Sequence, residues 1–164
     1  MDRGQLSSRI AALRKECSRL GRELAEGGLG LSMTDAFEVA GELQGLVNAA
    51  EGAQGVAAAF GARVETTMRE SGPWERVHPL GFVDAMAATE MALVTGLTEG
   101  LAGRKAALGA ALAERFPKAR ALLIAGEVAA ANAQKVVDAC AGLDVEACLR
   151  VDAELAGRLG SMDP

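Results

Sequence analysis

From Gly81 to Val137 an alanine-rich, largely apolar run is cut at Gly96, Pro117 and Gly126. That punctuation admits short helices packed closely and little else. The pattern predicts a helix from about Phe82 to Thr95, closed by Gly96 as a left-handed cap. Thr98 then caps a second helix running to about Phe116. Pro117 suits a first helical turn and opens a third, short helix that ends at Gly126. A fourth follows from about Val128 to Cys140. Half of all residues are hydrophobic but only 3% are aromatic, so the core has to be built from Ala, Leu, Val and Met. Segments alternating with period two are almost lacking, and the expected fold is all-α with six to seven helices.

Ahead of this run, residues 5–25 carry the cleanest periodicity in the chain. Leu6, Ile10, Leu13, Cys17, Leu20 and Leu24 are spaced 4, 3, 4, 3 and 4, one stripe of a helix. Two readings stay open. The helix packs on its own domain, or it is an arm, residues 1–26, that joins a second copy as a homodimer. Gly27-Gly28-Leu29-Gly30 is a hinge; no strand precedes it and no Gly-Lys-Ser/Thr follows, which argues against a phosphate loop. Ser32 or Thr34 then caps a long helix from about Met33 to Glu70 within a domain at 31–160. Five glycines (Gly41, Gly45, Gly52, Gly55 and Gly61) burden that helix. Either a neighbouring helix comes very close or the helix breaks near Gly52–Gly55.

Ser71-Gly72-Pro73 ends the long helix, and residues 71–80 read as a loop holding the one Trp and the one His of the chain. Trp74 is expected to pin the loop into the core, and His78 to be structural. Gly142 breaks the chain again, Asp144 caps a last helix, and residues 160–164 are expected to fray.

The stretch from Gly81 onward is identified as similar to a known family through three phrases. They are Glu90-Met91-Ala92-Leu93-Val94-Thr95-Gly96-Leu97-Thr98, Ala110-Ala111-Leu112-Ala113-Glu114-Arg115-Phe116-Pro117 and Leu122-Leu123-Ile124-Ala125-Gly126-Glu127-Val128. These resemble the helical module that precedes HNH endonuclease domains in many high-GC bacteria, domain of unknown function 222. The likeness spans roughly Met33 to Leu159. It implies a non-catalytic helical module that positions nucleic acid or a partner domain. The chain is then a fragment of a longer nuclease or a stand-alone relative, with DNA and a downstream nuclease domain as candidate partners.

Within residues 82–116, Ala92, Gly96, Leu97 and Thr98 have the outline of a helix-turn-helix. The following helix would offer its first turns to a major groove. Lys105 falls where that motif wants an aliphatic residue, and Glu99, Gly100 and Gly103 offer little to base edges. Candidate phosphate contacts are Arg104, Lys105, Arg115, Lys118 and Arg120. The net charge of −5 speaks against general nucleic-acid binding. An interaction or oligomerisation module without DNA affinity is therefore the second reading.

Catalytic patterns are missing from the sequence. An HNH centre needs several histidines to hold its metal, and this chain has one. No metal and no cofactor is expected. Glu90 and Glu127 are set among apolar residues and read as internal caps or salt-bridge partners. Cys17, Cys140 and Cys148, an odd number within apolar helical patterns, suggest reduced core thiols in a cytoplasmic protein. No apolar run is long enough for a membrane span.

Overall fold

The structure, a computed structural model, describes residues 2–27 and 30–159. Seven helices and one small hairpin make up the described residues, in the order α1 (Arg3–Gly27), α2 (Met33–Ala62), β1 (Val64–Arg69), β2 (Gly72–Val77), α3 (Ala87–Thr95), α4 (Glu99–Glu114), α5 (Pro117–Ala125), α6 (Ala130–Ala139) and α7 (Val145–Leu159). The fold is predominantly all-α, as the small-residue composition requires. Two compact units, Met1–Glu42 and Leu43–Pro164, divide the chain within α2. The middle of the predicted hinge at Gly27–Gly30, and the predicted fraying at 160–164, lie outside the described residues.

In the second unit the core is formed by α4 to α7. Leu112, Phe116, Ala119, Leu123, Val128, Ala133, Val136, Cys140, Cys148 and Leu159 bury against one another. Phe116 sits between α4 and α5, where Pro117 begins the new helix and lets the chain turn without wasting an amide donor. Asp152 of α7 is the other anchor. It is 2% exposed, and its carboxylate accepts the backbone N–H groups of Lys118 at 2.8 Å and Ala119 at 2.9 Å. Helix α5 therefore takes its cap from another helix rather than from its own N-cap residue, Phe116, which has no acceptor to offer. A second, smaller cluster joins Ala62, Ala87 and Ala106, with Met91 beside them.

Helix α2 stays intact through Gly52 and Gly55, so of the two outcomes expected for its glycines the close approach is the one realised. A Cβ at Gly52 would stand 2.9 Å from the backbone of Leu123 and Ile124. One at Gly109 would overlap the carbonyl oxygen of Gly55, and one at Gly126 the carbonyl oxygen of Gly45. Gly126 also has φ 84°, which closes α5 in the left-handed conformation. Its carbonyl accepts the Asn48 side-chain amide at 3.3 Å, and Asn48 is in turn bonded to Gln44 at 2.9 Å. Lys105 reaches Glu51 at 3.1 Å beside the same seam.

Several predicted boundaries move. The long helix ends at Ala62, not near Glu70, because Val64, Thr66 and Thr67 are β-branched and prefer the pleated chain. They pair antiparallel with the next strand, Val64 opposite Val77 and Arg69 opposite Gly72. Glu70 and Ser71 make the turn, and Pro73 is tolerated because a two-stranded sheet consists of edges. The expected loop at 71–80 is thus mostly strand. Trp74, 40% exposed, is not pinned in the core; it lies on the hairpin under the Arg69 guanidinium, 4.1 Å from the ring centre. The helix expected from Phe82 begins only at Ala87, since Asp84 diverts the chain. Its N–H bonds Ala62 O at 2.7 Å, and its carboxylate accepts the Met86 N–H at 2.9 Å. Ser32 rather than Thr34 caps α2, in a reciprocal box with Asp35. Asp144 caps α7 through the Ala147 N–H at 2.7 Å.

Glycine replacements separate close approach from helix propensity. Gly52→Ala and Gly109→Ala are each expected to lower the unfolding free energy by about 1–3 kcal/mol through forced separation of backbones. Gly41→Ala, at a site with open space, is expected to raise it by up to about 1 kcal/mol. Urea denaturation of the three variants checks the contrast.

Candidate functional site

Helix α1 begins in a reciprocal cap: Asp2 Oδ1 accepts the Gln5 N–H at 2.9 Å while Gln5 Oε1 accepts the Asp2 N–H at 3.3 Å. Along its polar side Arg19 binds both Glu16 and Glu23. The Arg19 hydrogen bond holds the Glu16 carboxyl below the usual carboxylate range. These pairs steady a helix whose apolar stripe is bare. No residue of α1 is buried; Ile10 is 62% exposed and Leu13 61%. Cys17 lies in the same stripe and is exposed, contrary to the expected core thiol. The stripe's spacing puts its side chains on one face, five of them exposed and Leu24 half-buried.

The first turns of α2 carry a second bare row. Met33 is 75% exposed and Phe37 69%, with Ala40 on the same heptad frame and exposed as well. Residues 33–47 contain three acidic side chains (Asp35, Glu38 and Glu42) and no basic one, whereas Arg3–Gly27 contains six basic and three acidic.

The five basic candidates fall in two places. Arg104 is exposed on α4, and neighbouring Lys105 is half-buried and paired with Glu51. Arg115 lies at the end of α4, 3.7 Å from the Glu114 carboxylate, and its Nε is buried without a hydrogen bond. Lys118 and Arg120 follow on α5, exposed and half-buried respectively. At 1.5 Å per residue, Arg104 and Arg115 are separated by about 16 Å along the α4 axis. Two of the five are thus turned toward carboxylates, and the set does not gather into one patch.

The turn between α3 and α4 has the expected parts. Gly96 adopts φ 72° and donates to Ala92 O, and Thr98 takes the N-cap conformation without a side-chain bond. Thr89 instead hydrogen-bonds Glu99 across the two helices. Beneath α3 lies a groove of about 350 Å³, lined by α2, α3, α4 and Val64 of β1, with Met91 half-buried and Val94 and Glu90 exposed along it. Sequence periodicity did not mark it, because its α2 wall is made largely of small residues, Ala57, Ala58, Gly61 and Ala62.

Glu90 and Glu127 are both exposed rather than internal. Glu90 sits at the groove's rim, and Glu127 follows the left-handed Gly126 into solvent. His78 stacks on Phe82 at 3.8 Å and places Nε2 2.8 Å from Glu65, tying the hairpin to the segment after it. Among the described residues no group of three or more His, Cys, Asp and Glu side chains is placed to hold a metal ion. No described helix is long and apolar enough to cross a membrane. Cys140 and Cys148 are buried, and loss of hydration pushes the Cys140 thiol up.

Searches of family models, of curated proteins and of solved structures returned no match to this chain.

Burial sorts the thiols. At pH 8 one equivalent, Cys17, is expected to react quickly with dithionitrobenzoate, and the other two only on unfolding. Cys17→Ser is expected to abolish the fast phase.

Proposed function

We propose that this chain is a non-catalytic helical interaction module that assembles with another protein surface through α1. One observation carries the reading: six apolar side chains at strict heptad spacing stand on a helix that buries none of its own residues. Exposed aliphatic rows of that length are interaction sites in water-soluble chains, since leaving them hydrated forgoes the main driving force for association. The resemblance to the module preceding HNH endonuclease domains adds a setting, in which such an arm holds the module beside a partner domain or a second copy.

Nucleic-acid positioning is the second reading. What favours it is that Arg104, Lys118 and Arg120 stand on α4 and α5 outside the ion pairs that engage Lys105 and Arg115. Backbone phosphates would meet them as separate point charges, with strong salt dependence. A gel-shift titration at low salt is expected to show no complex at tens of micromolar protein; a shift abolished by Arg104→Ala, Lys118→Ala and Arg120→Ala together would promote this reading over the first.

The first reading is tested with Leu13→Asp. Light scattering is expected to show self-association of the wild-type chain, weakened at least about thirtyfold by the variant, the weight of one anchor of about 2 kcal/mol. Because Leu13 is exposed in the single chain, thermal unfolding of the rest should move by no more than about 0.5 kcal/mol. A wild-type chain that stays monomeric at every concentration would sink the self-association form.

A further inference from the structure

We infer that the surface covering α1 is the acidic N-terminal half of α2 in a second copy of this chain, so that two copies close a four-helix bundle. The inference rests on the assembly reading above and names its partner. Both stripes keep heptad spacing: 6, 10, 13, 17, 20 and 24 on α1, and 33, 37 and 40 on the first turns of α2. Apart from half-buried Leu24, the side chains of both are exposed among the described residues.

Charge decides which stripe meets which. Arg3–Gly27 has a net charge of +3 (six basic, three acidic), and residues 33–47 have −3 (three acidic, none basic). Pairing α1 with α1, or α2 with α2, sets like-charged helices side by side at 8–10 Å, within about one Debye length at physiological salt. Pairing α1 with α2 sets opposite charges there instead.

Symmetry then completes the arrangement. Under a two-fold axis, α1 of one copy on α2 of its partner obliges the reciprocal contact, so one operation covers both rows. Size points the same way. A stable interface takes roughly 20–30 residues a side, more than a seam of six apolar side chains on α1 supplies alone. The small residues Ala36, Ala40 and Gly41 on α2 let the larger Leu and Ile side chains of α1 approach closely.

Cys17, near the middle of the α1 stripe, is a built-in probe. Phe37→Cys, Ala40→Cys and Gln44→Cys are made singly in the full chain, oxidised mildly, and analysed by non-reducing electrophoresis with peptide mass mapping. At least one is expected to run mostly at twice the chain mass, with a disulfide between Cys17 and the introduced thiol. Three results would overturn the inference while leaving a dimer in place. They are disulfides only between two Cys17 side chains, a Cys17 disulfide to the introduced thiol at the mass of a single chain, or no cross-link in any variant. A wild-type chain that is monomeric by light scattering defeats the assembly reading itself, so the two failures are told apart.

Discussion

Main chain touching main chain is the constraint on which the second unit depends. Where α2 passes α4 and the end of α5, Gly55 faces Gly109, Gly52 faces the backbone of Leu123 and Ile124, and Gly45 faces Gly126. A methyl group has no room at Gly52, Gly109 or Gly126, whereas Gly45 and Gly55 keep ordinary van der Waals clearance. The gain is dense dispersion contact between helices that own few large side chains, and carbonyl groups brought within reach of Asn48. Gly52 of α2, with Gly109 and Gly126 opposite that helix along the seam, is therefore what allows it to be held as a packed one, while Gly41 and Gly61 face open space. Little is asked of side-chain bulk: of the core residues of this unit, only Phe116 is aromatic.

Much of this was legible in the sequence, for a physical reason. Gly96, Pro117, Gly126 and Asp144 act locally, through backbone conformation and the first amides of a helix, and local rules carry over directly to the structure. What could not be read was tertiary. Val64, Thr66 and Thr67 continue an apolar row that a helix would also accept, and only pairing with residues 72–77 makes them strand. Asp152 looks like any surface aspartate of an amphipathic helix until α5 arrives with two unbonded N–H groups. Glu90 has apolar neighbours in sequence, yet its place on α3 leaves it exposed along the groove.

The candidate interaction face was the most legible feature, and it was so because it is unburied. A stripe at heptad spacing needs no partner to be recognised, only the period of the helix. The basic residues were less so. Lys105 and Arg115 read as free cations along the sequence, and both find carboxylates in space, Glu51 across fifty-four positions and Glu114 next door.

Asp152 has one more implication, concerning the order in which the second unit can form. Helices α4, α5 and α6 are contiguous and can touch as soon as they exist. Until residues 148–159 have been synthesised, however, the opening amides of α5 have no acceptor and Phe116 and Leu123 lack the neighbours Cys148 and Leu159 supply. The packing of α4, α5 and α6 is therefore completed only when α7 docks, and α7 is the latch of this unit.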